Sequence, residues 1–289
     1  MHGLREKPKL FGDDTEAMVI LGVGKNMVRS IRFWAQAAGI VAPAKSGEYC
    51  PTPFGVAVLG SHGRDAFLED IRTLWLLHWK LSTNIESPLL AWDYLLNHWQ
   101  DPEIVPSAAL RALEKEVGRA NDSFSSVTLE QHFETFLHTY VPTRGRKGEV
   151  QEDNLDCPLV ELEFIRKVGD RDLDRLSGRR EPIYTFDREE KPEITPELFS
   201  YCLYDFWIKR HTSESTLSLR DVAHAHGSPG QIFKLPEEDV RCRVELLEKQ
   251  TDGLFLYSES ANLQQIRKHG EAKSGQLLNG IYSAELAHA

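Results

Sequence analysis

Cysteines are few in this chain, and none of them are grouped. Cys50, Cys157, Cys202 and Cys242 lie tens of residues apart, and no Cys-x-x-Cys pair occurs. Zinc fingers and disulfide-stapled scaffolds both need closely spaced cysteines, so neither is expected. The pattern is typical of a protein that stays reduced in the cytoplasm.

Long apolar segments are also missing. The longest, at residues 74–79, is far shorter than the roughly 20 residues that a transmembrane helix needs. No basic stretch followed by an apolar one opens the chain, so we expect neither a secretory signal nor a membrane partner. The motifs G-x-S-x-G, H-E-x-x-H and G-x-G-x-x-G, which mark hydrolases, metalloproteases and dinucleotide-binding folds, are absent as well.

Basic residues are outnumbered, since 34 Lys and Arg stand against 44 Asp and Glu, a formal net charge of −10. This balance argues against a protein that coats DNA non-specifically. The charge is uneven, however, because residues 17–47 contain four basic residues and no acidic one. A local surface that contacts DNA is therefore compatible with the acidic average.

A predicted helix over residues 26–38 carries most of this basic window. Basic residues recur there at spacings of four and three, which places them on one helical face. Backbone N–H groups at a helix start bind phosphate, and asparagine can bind an adenine edge. The predicted DNA-binding residues of this helix are Lys25, Asn26, Arg29, Ser30 and Arg32.

The opposite stripe of the same helix is apolar, and we expect it to face inward. Its members are Met27, Ile31, Trp34 and Ala38. A surface that binds a protein partner is the alternative interpretation of the basic face. A second basic group, in a loop at residues 141–150, is also predicted to bind DNA and consists of Arg144, Arg146 and Lys147.

An acidic segment follows that loop, with six carboxylates and no base between residues 149 and 163. Glu152, Asp153 and Asp156 are spaced so that pairs of them share a helical face. Carboxylates are the ligands that Mg²⁺ and Mn²⁺ prefer, and such ions activate water for phosphodiester cleavage. We predict these three as metal ligands and catalytic residues. The alternative is an acidic helix start that favours the helix dipole.

Element order predicts a mainly α fold with small β-hairpins and winged-helix-like modules at both ends of a helical core. The boundaries are residues 1–64 for an N-terminal DNA-binding module, 65–212 for the core and 213–289 for a C-terminal module with a tail helix. We expect a strand pair over residues 48–59, a helix over 158–168 and an irregular linker over 169–196. The tryptophans are expected to pack in the core.

Several single features receive plainer interpretations. Gly22-Val23-Gly24-Lys25-Asn26 resembles the end of a P-loop, but Val19 and Asn26 stand where the loop needs glycine and Ser or Thr. We therefore predict a helix–turn–helix corner there. His78 is expected in the core, and Cys157 is expected to be structural, because the carboxylates around it in sequence disfavour the reactive thiolate.

Four segments together are similar to one bacterial family. They read AMVILGVGKNMVRSIRFW at residues 17–34, LED and TLWLLH within 68–78, EDNLDCPLVEL at 152–162 and GSPGQIFKL at 227–235. The chain resembles a family of formerly unknown function that is encoded beside DNA phosphorothioation genes. That family usually carries another helical segment before the first motif, so we expect this chain to be short at its start.

The resemblance implies a role in the single-strand phosphorothioation (Ssp) antiphage system, as its DNA-nicking B component. A nick would open one strand so that sulfur can replace a non-bridging oxygen. The implied partners are DNA, a cysteine desulfurase, an ATP-pyrophosphatase-like sulfur-transfer protein and an ATPase. The alternative is a non-catalytic DNA-recognition or scaffold subunit of the same complex.

Overall fold

A computed structural model of the chain describes residues 10–119, 124–142, 157–174, 179–260, 263–272 and 275–283. The chain divides into two compact units, Met1–Pro88 and Leu89–Ala289. Within the described ranges, no helix combines the length and the apolar character needed to cross a bilayer. The mainly α character with small antiparallel sheets is confirmed.

The first unit contains short helices and one hairpin. Its helices are α1 (Asp14–Leu21), α2 (Lys25–Ala37), α3 (Pro53–Leu59) and α4 (Ile71–Ser82). Its strands are β1 (Val41–Pro43) and β2 (Tyr49–Pro51).

The second unit contains the remaining elements. Its helices are α5 (Leu90–Asn97), α6 (Pro106–Arg119), α7 (Ser126–Tyr140), α8 (Pro196–Arg210), α9 (Leu219–His224), α10 (Pro229–Phe233), α11 (Glu237–Gln250) and α12 (Gln276–Ser283). Its strands are β3 (Glu103–Ile104), β4 (Ile165–Asp174), β5 (Arg179–Phe186), β6 (Thr216–Ser218), β7 (Phe255–Ser260) and β8 (Leu263–Lys268).

The turn between α1 and α2 forms as the glycine pattern predicts. The Asp13 side chain accepts bonds from the first amides of α1, and Gly22 ends that helix with φ of +68°. Only glycine adopts such a conformation without a Cβ penalty. The predicted strand pair over residues 48–59 is wrong in its second half. Thr52 caps α3 and Pro53 fills its first turn, which is a helix-start signal.

The inward face of α2 also differs from the prediction. Val28 is fully buried with Ala17 of α1 in one apolar cluster, because small side chains let two short helices approach closely. Met27 and Ile31 are instead 56% and 37% exposed, and Trp34 is half-buried. Helix α4 behaves as predicted, since it is almost wholly buried and His78 packs edge-on against a tryptophan in the core.

Strands β4 and β5 replace a predicted helix and a predicted linker. They form a long antiparallel ladder in a sheet of order β3-β5-β4. Charged residues make up most of β4 and the first three positions of β5, and several of them pair across the ladder. Arg171 lies 2.9 Å from Glu181, and Arg180 lies 3.2 Å from Asp172. Residues 158–162 form only a 3₁₀ turn that ends at Glu163 in the left-handed region, so no helix continues into β4.

The C-terminal part of the second unit combines three helices with a three-stranded sheet. Helices α9 to α11 lead into the β7–β8 hairpin, and β6 pairs with β8 to give a sheet of order β6-β8-β7. Ser228 caps the short helix α10, which begins at Pro229. Tryptophans are core residues here too, because Trp92, Trp99 and Trp207 are at most 8% exposed.

Two distant segments of this unit are joined at the end of α5. The carbonyl of Leu96 accepts bonds from Gln231 Nε2 at 2.6 Å and from Lys234 Nζ at 2.5 Å, while Gly227 N donates to Asn97 Oδ1 at 2.8 Å. A carbonyl in the last turn of a helix has no intrahelical partner, so these donors satisfy it. We call this set of three hydrogen bonds the clasp.

The Lys234 amine in the clasp is buried. It lies 4.9 Å from the centre of the Phe186 ring, and its residue is 6% exposed. Burial, with a smaller effect from nearby Arg188, lowers the pKa of Lys234 from 10.5 to about 7. The unfolded chain binds a proton that the folded chain lacks between these two pH values, so stability rises with pH across that window.

We expect the free energy of unfolding of the wild type to increase from pH 7 to pH 9 more steeply than that of Lys234→Met. The difference between the two slopes should reach up to about 1.4 kcal/mol per pH unit. Methionine is unbranched and only one heavy atom shorter than lysine, and it does not titrate. Urea denaturation of both proteins at pH 7, 8 and 9 measures the difference. Parallel pH dependences for the two proteins would contradict a lowered pKa at Lys234.

Candidate functional site

The predicted DNA-binding residues of the first unit lie at the start of α2. Lys25 and Arg29 are more than half exposed, and Asn26 and Ser30 are exposed beside them. Gly24 precedes the helix and offers no side-chain cap to its first amides. We call Lys25, Asn26, Arg29 and Ser30 the basic surface. It combines two cations, two hydrogen-bonding side chains and the positive end of a helix dipole.

An acidic side chain outside the basic window faces these cations. Asp14 of α1 bonds Arg29 Nε at 2.9 Å and lies 3.9 Å from Lys25 Nζ and 3.5 Å from Arg32 Nη1. The bond from Arg29 holds the pKa of Asp14 below its usual value, with smaller effects from the three positive charges. The three cations and Asp14 together carry a net charge of +2 rather than +3.

Arg32 occupies a different position from the other cations. Its guanidinium donates to the carbonyl of Phe11 at 2.5 Å and lies 6.0 Å from the centre of the Tyr49 ring. Its side chain is 27% exposed. Arg32 of α2 therefore contacts both the segment before α1 and the hairpin. These contacts fix the position of the helix that carries the basic surface.

The other predicted site residues, Arg144, Arg146, Lys147, Glu152, Asp153 and Asp156, lie outside the described residues. The described residues on either side of that segment line a cavity of about 910 Å³. Val141 and Pro142 precede the segment, and Val160 follows it. Four carboxylates, from Glu130, Glu134, Glu161 and Glu163, border the same cavity, together with His138, Arg166 and Lys167.

A group of titratable side chains that sequence reasoning missed lies beside the clasp. Asp93 Oδ1 lies 2.7 Å from His226 Nε2, and the His98 and His226 rings are 5.2 Å apart between centroids. Arg210 Nη1 lies 3.2 Å from His226 Nδ1. We call Asp93, His98 and His226 the Asp–His cluster. Burial raises the pKa of Asp93, but the bond to His226 and the nearby positive charges outweigh it, so the pKa is lowered overall.

The sequence neighbours of His226 have other partners in the structure. Asp221 and His224 are its neighbours in sequence, but Asp221 forms a capping box with Ser218 at the start of α9. His224 lies 2.6 Å from Glu237. The actual partner, Asp93, is 133 residues away. His98 follows Asp93 by five positions at the end of an apolar helix, and this spacing alone carries no signal.

Two crystal structures that match this chain are both of SspB. Magnesium ion-bound SspB matches with a TM-score of 0.77 and 23% identity over 91% of this chain and 76% of that one. A second SspB crystal structure matches with a TM-score of 0.75 and 22% identity over the same shares. At this identity the likeness establishes a shared fold. No curated protein matches the chain.

A family model identifies the family of this chain, whereas the structural matches establish only the fold. It is described as a protein of unknown function (DUF4007), and it matches residues 2–282. The match covers both units and all four segments on which the sequence resemblance rests. The chain belongs to the DUF4007 family.

Proposed function

We propose that this protein is the DNA-binding, strand-nicking component of a bacterial DNA phosphorothioation system. The observation that carries the proposal is the basic surface, which is exposed at a helix start within the segment most similar to the phosphorothioation-associated family. Family membership over residues 2–282 and the SspB fold over 91% of the chain support it. The expected partners, in the cytoplasm, are DNA and the three proteins implied by the resemblance: a cysteine desulfurase, an ATP-pyrophosphatase-like sulfur-transfer protein and an ATPase.

We further propose that both ends of the chain use winged-helix modules. In the second unit, β6, α9 to α11 and the β7–β8 hairpin follow the strand–helix–helix–hairpin order of that motif. In the first unit, α1 and α2 are joined by the Gly22 turn and followed by the β1–β2 hairpin. In helix–turn–helix proteins the second helix enters the major groove with its N-terminal residues on the bases, and the basic surface occupies that place on α2.

Within the basic surface, each side chain has a role that its position supports. Lys25 and Arg29 contact phosphates, and Asn26 and Ser30 reach base edges or phosphates from the same end of the helix. Arg32 supports their geometry through Phe11. Arg144, Arg146 and Lys147 add a second phosphate-binding group.

The proposed chemistry resides in the acidic segment. Glu152, Asp153 and Asp156 are the metal ligands, since three carboxylates form a donor set suited to Mg²⁺ or Mn²⁺. When bound, such an ion supplies an activated water and neutralises charge at the scissile phosphate. Val141, Pro142 and Val160, which flank the segment in sequence, line a cavity bordered by four glutamates. One SspB structure is magnesium ion-bound, which supports the choice of metal.

The second candidate function is a DNA-recognition or scaffold subunit without chemistry of its own. The basic surface and the winged-helix order favour DNA binding but are independent of cleavage. A plasmid assay separates the two functions, because only a nickase converts supercoiled DNA into open circles.

We expect purified protein to relax supercoiled plasmid with Mg²⁺ or Mn²⁺ and to be inactive with EDTA. Asp153→Asn and Asp156→Asn should each slow nicking about 100-fold or more, because each removes a charged ligand without changing side-chain size. Glu248→Gln, which removes one exposed carboxylate of α11, is the matched control. Full activity in both aspartate variants would exclude them as ligands, and inactivity of the wild type alongside intact DNA binding would favour the recognition subunit.

Removing the Asp14 carboxylate and removing the cations beside it are expected to change DNA affinity in opposite directions. We expect Asp14→Asn to bind duplex DNA more tightly than the wild type. In the wild type, Arg29 and Lys25 must give up their contacts with the Asp14 carboxylate before they bind phosphate, and the variant avoids this cost. The Lys25→Ala, Arg29→Ala double variant should bind more weakly. Its slope of log affinity against log salt should fall by about 0.9 for each lost phosphate contact. Fluorescence anisotropy across a salt series measures both effects.

Lys249→Ala, which removes a cation from the end of α11, is the control for net charge in these titrations. Equal salt slopes in the wild type and the double variant would remove the basic surface from the DNA interface. Weaker binding in Asp14→Asn would mean that the carboxylate organises the cations for DNA rather than competing with it.

A further inference from the structure

We propose that the Asp–His cluster is a binding site for a zinc-class transition-metal ion, held by Asp93, His98 and His226. This site is separate from the acidic segment proposed for Mg²⁺ or Mn²⁺. Asp93 comes from the first turn of α5, His98 from the residue that caps the end of α5, and His226 from the loop between α9 and α10. The test of this site is independent of DNA cleavage.

The first argument is the convergence of the donor atoms. One carboxylate oxygen of Asp93 and one ring nitrogen from each histidine all lie within 4.8 Å of one another. Asp93 Oδ1 and His226 Nε2 are already 2.7 Å apart. Zinc binds such atoms at about 2.0–2.2 Å, so small side-chain rotations are enough to place all three donors around one ion. The side chains of Asp93 and His226 are 36% and 39% exposed, which leaves the ion a path of entry.

The second argument is that the backbone beneath the donors is fixed. The three hydrogen bonds of the clasp connect residues 96–97 with residues 227–234. Asn97 lies between Asp93 and His98 in sequence, and Gly227 directly follows His226. The two segments that supply the ligands are therefore held together without the ion. Such preorganisation reduces the entropy lost on binding.

The third argument is the chemistry of the donors. Two imidazoles and one carboxylate suit Zn²⁺, Co²⁺ or Ni²⁺, whereas Mg²⁺ prefers oxygen ligands throughout. Three protein ligands also leave one tetrahedral position for water or another oxygen donor, as in catalytic rather than structural zinc sites. The cluster is thus expected to select a different ion from the acidic segment.

Arg210 favours the metal-free form of the cluster, in which His226 is bonded to Asp93. Its guanidinium donates to His226 Nδ1 at 3.2 Å, so the ring carries its proton on Nε2 and gives it to Asp93. When Nε2 binds a metal, the ring proton moves to Nδ1 and faces the Arg210 donors. Arg210 must then turn away, and its positive charge also opposes the ion. Arg210 therefore weakens metal binding without being a ligand.

Isothermal titration calorimetry of the full chain with ZnCl₂ at pH 7.5 tests the site. The exposed Cys50 and Cys242 bind zinc themselves, so all proteins carry Cys50→Ser and Cys242→Ser. We expect one site, with affinity reduced at least about tenfold in Asp93→Asn, His98→Ala and His226→Ala. Arg210→Met should bind zinc more tightly. His224→Ala, which removes the neighbouring histidine bonded to Glu237, should leave the affinity unchanged.

Cobalt gives a second readout, because Co²⁺ in a tetrahedral nitrogen–oxygen site absorbs visible light. We expect this absorption in the wild type and in His224→Ala, and its loss in His226→Ala. Zinc affinity that is the same in the three ligand variants and the parent would overturn the proposal, as would the absence of any zinc binding. An unchanged affinity in Arg210→Met would overturn the role of Arg210. Failure of DNA nicking affects none of these measurements.

Discussion

The second unit depends on how the carbonyl of Leu96 is satisfied. This carbonyl lies in the last turn of α5 on a fully buried residue, where an unpaired acceptor would cost about 1–3 kcal/mol. The chain satisfies it with Lys234, a side chain that itself resists burial, and with Gln231. The result is a fixed alignment of α5 against the segment around α10. That alignment also brings His226 beside Asp93. The geometry of the Asp–His cluster therefore follows from the hydrogen bonds that satisfy the end of α5.

The contrast between Asp14 and the basic window shows how charge acts in three dimensions. A stretch without acids along the sequence acquires one in the fold, because α1 and α2 pack through Ala17 and Val28. Asp14 then occupies the place that a phosphate would take beside Arg29. The cations of the basic surface are thus ordered by an intramolecular anion that offsets part of their charge. In a chain with a net charge of −10, the exposed cations of α2 are a local exception to the average.

Sequence reasoning predicted a helix over residues 26–38, which is close to α2 (Lys25–Ala37), and the turn before it at Gly22. It failed at β4 and β5, because charges that pair across strands, such as Arg171 with Glu181, look like a solvated linker in one dimension. It chose the wrong face of α2, since packing against α1 favoured small Val28 over the larger Met27 and Ile31. The basic surface was predictable because its residues are neighbours on one helix. The Asp–His cluster was not, because its members meet only through tertiary contacts.

The clasp also orders events during synthesis. Its bonded partners are separated by 130 to 138 residues, and closing so long a loop is slow compared with forming local contacts. The first unit contains its own apolar cluster and hairpin within residues 1–88, so it has what it needs to fold soon after leaving the ribosome. Helix α5 must wait, with its last carbonyls facing water, until residue 234 has emerged. Over that interval the second unit is incomplete, and its unpaired groups and apolar surface are accessible to chaperones.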